Sequence, residues 1–223
     1  MALFLTMTAD GDLLGMSLGT VMLPTSQKGA FDVADSSSVQ ADSANTSDTL
    51  EVSKFTGRVG IVDAYRLPLL KPAQLKNLDS ETIWLARAIY SETKRPEEQE
   101  LVAWVVRNRV ETRFRGKSTY QEAVLDPYQF SAFIEGTSTR RFYSNLTPMS
   151  KYPGWQRALA IAYAVRTLPA YYRPFSIKTR HFYSEQSMVG KSAPDWANGK
   201  DHVVPNRDFA LDERRFRFYE GIS

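Results

Sequence analysis

DSETIWLARAIYSETKRPEEQELVAWVVRNRV, residues 79–110, decides the fold class. Asp79 or Ser80 can cap a helix running through Ile83, Leu85 and Ile89 to Glu92, because a short polar side chain just ahead of an apolar-periodic run satisfies free N–H groups of the first turn. Pro96 starts a second helix, since its fixed φ and missing N–H suit the first helical position. Glu97, Glu98 and Glu100 then lie near its positive end, and Leu101, Trp104, Val105 and Val106 form its core stripe. The two helices meet near residue 94.

Working outward, Ser118-Thr119-Tyr120-Gln121 carries a capping-box pattern for a third, short helix. It must stop before Asp126-Pro127, because the residue ahead of a proline is pushed out of the helical region. Residues 153–167 read as another helix, with Trp155, Leu159, Ala162 and Val165 or Tyr163 inward. The aromatic, turn-rich tail over 179–219 has no helical period and predicts loops and short strands. The expected fold class is mainly α (α+β). Upstream, residues 54–78 mix basic and apolar side chains with Pro68 and Pro72 and read as an approach segment wrapping the following domain. Residues 32–48 are dominated by Ser, Asp, Ala and Thr, too little apolar surface to offset the entropy of ordering them, and read as a linker. Residues 2–23 show two apolar runs around Ala9-Asp10-Gly11-Asp12, compatible with a hairpin and equally with a docking segment for a partner. The expected organisation is an extension with an acidic linker over 1–53, the approach segment over 54–78 and a compact domain over 79–223.

A chain of 223 residues accommodates one domain with a sizeable core plus an extension. With 43% hydrophobic and 24% charged residues it has a globular composition, neither disordered nor membrane-embedded. No cysteine is present, which excludes disulfides and thiolate zinc sites, and two histidines are too few for a histidine-rich centre; no metal and no cofactor is expected. Seven acids against the single Lys28 leave the first 53 residues at −6 and the remainder at +9. A basic body is drawn towards polyanions: nucleic acid, an anionic membrane or the acidic bacterial wall. Nucleic acid is not the expected partner, because the basic residues are scattered and no recognised nucleic-acid motif occurs. No lysine or arginine precedes position 28 and Asp10-Gly11-Asp12 interrupts the apolar start, so neither a conventional signal peptide nor a membrane span fits there.

Glu92 lies three residues after Ile89 and seven after Leu85, so on one helix the three share a face. A carboxyl against an apolar wall has its charged form disfavoured; its pKa rises and it can donate a proton to a glycosidic leaving oxygen. The plainer alternative is a local cap or a salt bridge with Lys94 or Arg95. The second informative stretch is Asp126-Pro127-Tyr128-Gln129-Phe130-Ser131-Ala132-Phe133. Sugar C–H faces pack on aromatic rings while hydroxyl and N-acetyl groups need oriented partners such as Gln129 and Ser131, although an ordinary core-anchoring loop has the same composition. Asn108 interrupts an apolar and basic helix and either points inward to order a site or faces solvent.

Leu85-Ala86-Arg87-Ala88-Ile89-Tyr90-Ser91-Glu92, followed by Val106-Arg107-Asn108-Arg109-Val110, resembles the glutamate-ending helix and the Val-Xaa-Asn-Arg-Val helix of the SleB/CwlJ-type cell-wall hydrolases, a family of spore-cortex-lytic enzymes and related phage lysins. Gln129-Phe130-Ser131 is similar to that family's Gln-Phe-Ser loop. Thr179-Arg180-His181-Phe182-Tyr183, Pro194-Asp195-Trp196-Ala197 and the closing Arg217-Phe218-Tyr219 complete the resemblance, in order, over about 140 residues. It implies a lysozyme-like, lytic-transglycosylase-like domain acting on bacterial peptidoglycan, with Glu92 as the only catalytic carboxylate. The implied reaction cleaves the β-1,4 bond between N-acetylmuramic acid and N-acetylglucosamine and closes a 1,6-anhydro ring. A two-carboxylate hydrolase needs a partner within roughly 5 to 9.5 Å, for which the sequence offers Asp126 or Glu135 without choosing. The resemblance places His181 in the cleft, orienting substrate or the carboxylate, with a hydrogen-bonded structural histidine as the alternative. Tyr183 and Asn108 join it as candidate substrate-binding residues, and Trp196 either stacks on a sugar or merely packs.

The chain departs from the family's pattern where small residues and glycine usually follow the glutamate: it has Thr93-Lys94-Arg95-Pro96, a basic and stiff loop whose cations either meet stem-peptide carboxylates or are solvated. Asp201-His202-Val203-Val204-Pro205-Asn206 also lacks the usual glycine-containing pattern. A non-catalytic wall-binding or virion structural protein is the competing class, against which Glu92 and Gln129-Phe130-Ser131 both speak. The acidic linker fits a virion-associated enzyme anchored to virion or membrane proteins through residues 1–53.

Overall fold

In the computed structural model, which describes residues 66–186, 192–206, 211–212 and 214–222, Asp79 begins the first long helix by accepting the N–H of Thr82 at 2.7 Å. Six α-helices and one two-stranded sheet occur among these residues: α1 (Pro72–Lys76), α2 (Ser80–Glu92), α3 (Pro96–Glu111), α4 (Tyr120–Leu125), α5 (Ser138–Ser144), α6 (Trp155–Thr167), β1 (Thr179–Tyr183) and β2 (Arg217–Glu220). The fold is mainly α. The hairpin expected over 2–23, the linker over 32–48 and the first part of the approach segment lie outside the described residues.

The start signals in the sequence act as their chemistry dictates. Pro96 opens α3, with Glu97 and Glu98 in its first turn. The capping box of α4 is formed by Thr119 and Glu122, whose carboxylate also accepts the N–H of Ser118 at 2.9 Å. Gly154 stands ahead of α6 with φ 77°, a left-handed conformation open to glycine, and an added Cβ would approach the Tyr90 ring at 3.8 Å.

Helices α2, α3 and α6 pack against one another and bury Leu85, Ile89, Leu101, Trp104, Trp155, Leu159 and Ile161 almost completely. Each of the leucine and isoleucine side chains stabilises the fold by roughly 1.5 to 3 kcal/mol relative to leaving it exposed. Leu75 of α1 belongs to the same core, and Leu67, Leu70 and Leu78 pack against it. Arg157 ties this stretch to α6 by donating to the Leu67 carbonyl.

Strands β1 and β2 run antiparallel, with His181 opposite Tyr219 and Phe182 opposite Phe218. The two faces of this ribbon serve different clusters, as the two-residue period of a strand requires. Phe182 and Phe218 pack against the helical core, while Tyr183 and Tyr219 stack at 5.7 Å in a second cluster with Ala197 and Ile222. Helix α3 holds the ribbon by two consecutive side chains. Asn108 Nδ2 donates to the carbonyls of Thr179 at 2.8 Å and Ser176 at 3.1 Å, and Arg109 Nε donates to that of Arg180 at 2.7 Å.

Candidate active site

Glu92 is the last residue of α2, one turn beyond the fully buried Ile89. The apolar stripe of the helix carries it towards the core, and the C-terminal end of a helix disfavours a negative charge. The residue is half-buried and keeps an opening to solvent. Burial pushes its pKa up to about 7, with Arg109 and Lys94 pulling in the opposite direction. No oxygen of Glu92 makes a hydrogen bond or a close ion pair with another described residue. A carboxyl so placed is divided between acid and carboxylate near neutral pH, the state required of a group that first gives and then takes a proton.

The basic loop after Glu92 does not neutralise it by direct pairing. Arg95 turns to Glu98, at 3.6 Å. The Lys94 ammonium donates to the carbonyl of Tyr90, stands 3.4 Å from the centre of the Tyr90 ring and lies 5.5 Å from that of Tyr143. Partial burial pushes this lysine down to about 8, while Glu92 acts to raise it. Tyr143, from α5, has its phenol pKa raised by burial and by the charge of Glu92, which places it in the same neighbourhood.

Arg109 is the hub that the sequence did not single out. It is buried, lies 5.5 Å over the ring of Phe130 and acts electrostatically on Glu92, Asp126 and His181. Burial pushes its guanidinium down to about 10. Its Nη1 has no hydrogen-bond partner among the described residues. Asp126 is buried against Arg115 Nε at 2.7 Å and Lys117 Nζ at 3.6 Å, so its charge is already matched by two cations. Glu135 is exposed in the loop between α4 and α5.

The other sequence candidates divide by location. Phe130 is buried beneath Arg109 and touches Phe133 and Phe182 edge-on or tilted, which makes it a floor residue. Gln129 is half-buried, with its backbone N–H on the Asp126 carbonyl at 3.1 Å, and Ser131 is exposed at the start of a single helical turn. Asn108 is wholly buried and spends its amide on the backbone at the start of β1. His181 is buried between the rings of Phe114 and Trp196, each at 5.2 Å, and its Nδ1 has no partner among the described residues. Burial, with Arg109 next in effect, pushes it down to about 3, so it is a neutral imidazole at working pH. Tyr183 and Trp196 pack together at 5.9 Å in the second cluster beside it, and Trp196 also meets Tyr219 at 5.4 Å.

The turn that carries Glu92 into α3 is fixed from below. Thr93 Oγ1 donates to Glu98 Oε2 at 2.5 Å, and Gln99 Nε2 donates to the Thr93 carbonyl at 2.8 Å. Glu98 is fully buried and takes a two-pronged pair from Arg215, at 2.8 and 3.2 Å. In the sequence Glu98 stands at a helix N-terminus and nothing local marks its partner, which lies 117 positions away.

Among the described residues no group of three or more histidines and acids is placed to hold a metal ion, and no helix is long and apolar enough to cross a membrane. No family model, no curated protein and no solved structure matches the chain.

Proposed function

We propose that this domain cleaves the glycan strand of bacterial peptidoglycan, with Glu92 serving as both general acid and general base. The observation that carries the reading is the carboxyl of Glu92 at the end of α2, unpaired among the described residues and raised to about 7 by burial. The resemblance of Leu85–Glu92, Asn108-Arg109-Val110 and Gln129-Phe130-Ser131 to the SleB/CwlJ-type hydrolases supplies the substrate, and a lysozyme-like arrangement of the helices belongs to the same proposal.

In this reaction protonated Glu92 gives its proton to the oxygen that links N-acetylmuramic acid to N-acetylglucosamine. The bond from that oxygen to the muramyl anomeric carbon breaks, and positive charge spreads over the anomeric carbon and ring oxygen. The carboxylate left on Glu92 then takes the proton of the muramyl 6-hydroxyl, whose oxygen closes on the anomeric carbon. No water is consumed, and Glu92 ends protonated as it began. Asp126, held by Arg115 and Lys117, is poorly suited to act as a second carboxylate, which favours this route over two-carboxylate hydrolysis.

Mass spectrometry of the muropeptides released from purified peptidoglycan tests the proposal. The wild-type protein should release 1,6-anhydromuramyl products, lighter by one water than their hydrolytic counterparts, and the Glu92→Gln variant none. Products with a reducing muramic acid would replace the route by hydrolysis. Folded wild-type protein that releases nothing would overturn the enzymatic reading.

A further inference from the structure

Beside Glu92 the surface carries aromatic rings that the reaction does not use. Phe142 and Tyr152 remain 40% and 47% exposed, a costly arrangement for large apolar rings unless something covers them. They form one series rather than scattered exposure: Tyr152 meets Phe142 at 5.1 Å, Phe142 meets Tyr143 at 5.0 Å, and Tyr143 meets Tyr90 at 6.2 Å. Tyr143 feels the charge of Glu92, and the Lys94 ammonium sits over the Tyr90 ring and 5.5 Å from the centre of the Tyr143 ring, so the series leads outward from the neighbourhood of that carboxyl past a cation.

The backbone under these rings is held from several sides. Tyr90 Oη donates to the Pro153 carbonyl at 2.9 Å, fixing the residue next to Tyr152. Arg87 of α2 donates to the Leu146 carbonyl at 2.8 and 3.2 Å, and Trp155 Nε1 of α6 donates to that of Thr147 at 2.7 Å. A segment pinned to both α2 and α6 presents its rings with little ordering left to do on binding.

We infer that Tyr143, Phe142 and Tyr152 form a shelf for further sugar rings of the same glycan strand, next to the linkage at Glu92, with Lys94 placed to meet a carboxylate borne on that strand. The shelf rests on the cleavage proposal and adds that the substrate is a polymer held over several residues. Amino-sugar rings are the fitting occupant: their C–H faces match aromatic surfaces, and the muramyl lactyl or stem carboxylate matches a lysine. Stacking on aromatic side chains tolerates variation in the sugar, so the shelf contributes grip more than sequence preference.

Pelleting with insoluble purified peptidoglycan tests it, using the full-length Glu92→Gln protein, which holds the polymer without cutting it, with and without Phe142→Ala and Tyr152→Ala. The expected result is an at least tenfold rise in Kd for a protein that stays folded at the assay temperature, its melting temperature falling only modestly because both rings are partly exposed. A second variant, Phe142→Tyr with Tyr152→Phe, keeps the rings and should bind as the parent does. Equal Kd for the alanine variant and its parent would overturn the shelf, as would absence of binding by the parent. Digestion of the same peptidoglycan by the wild type, run in parallel, tells whether the cleavage reading falls with it or survives.

Discussion

Arg109 of α3 holds down the pKa of a carboxyl, that of Glu92 at the end of α2, which burial drives up to about 7. The balance makes Glu92 a destabilising residue at neutral pH. Folded and unfolded chains bind its proton alike below about 4.5; between 4.5 and about 7 the folded state keeps the proton that the unfolded state loses, so stability falls as pH rises and levels off above the folded pKa. Allowing for its opening to solvent, the cost above pH 7 is about 2 kcal/mol. Glu92→Gln should therefore melt higher than the wild type at about pH 8 and close to it at about pH 4, while losing at least about a hundredfold in turnover of peptidoglycan. Equal melting temperatures across that range would mean that the carboxyl is not buried as described.

In the proposed reaction the acid form of Glu92 starts the cleavage, which sets the sign of the pH dependence. Since Glu92 must be protonated to donate, kcat/KM should fall as pH rises through about 7. Lys94 opposes the upward shift, so Lys94→Gln removes a cation that favours the carboxylate. The descending limb of the variant should move up by about half a pH unit or more. A limb that stays in place would remove Lys94 from the electrostatics of the site.

The parts legible in the sequence are those written locally. Asp79, Pro96 and Thr119 announce α2, α3 and α4 because a cap is a contact between residues two or three apart, and the apolar stripe of α6 is read the same way. Helix α5 was not legible, because none of its seven residues is buried and no stripe marks it. The same holds at the site. Glu92 could be picked out because its own helix sets it on an apolar face, whereas Arg109 looked like one more basic residue and Phe142, Tyr143 and Tyr152 lie more than 45 positions from Glu92. Which side chains meet across such separations is decided by how α2, α5 and α6 pack, and the apolar pattern does not encode it.

The buried Glu98 gives a prediction about the frame. Arg215, 29% exposed, supplies two hydrogen bonds to a carboxylate with no exposure; Thr93 Oγ1 supplies a third, and Arg95 at 3.6 Å is the only other cation paired with it among the described residues. Arg215→Met leaves that charge inadequately matched and should cost about 2 to 4 kcal/mol in urea unfolding. Because Glu98 also receives Thr93 Oγ1, the turn after Glu92 loosens with it, and kcat should drop more than KM rises. A loss below about 1 kcal/mol would show that Arg95 can take over the pair.

His181 offers a stability test that also decides what it does. Its ring is buried between Phe114 and Trp196, with Arg109, Arg180 and Arg115 all opposing a positive charge, and its pKa is pushed down to about 3. Above the ordinary histidine value both folded and unfolded chains hold it neutral. As pH falls below about 6.5 the unfolded chain takes up a proton that the folded one refuses until about 3, so stability is lost across that window, by about 3 kcal/mol between pH 6.5 and pH 4. His181→Gln should abolish this contribution: the variant loses packing at neutral pH, but its unfolding free energy declines less steeply on acidification than that of the wild type. A neutral imidazole cannot supply protons between pH 5 and 8, so the pH profile of cleavage should keep its midpoint in the variant even where KM changes. A shifted midpoint would instead make His181 a titrating partner of Glu92, and an unaltered acid slope would show that the ring is open to solvent.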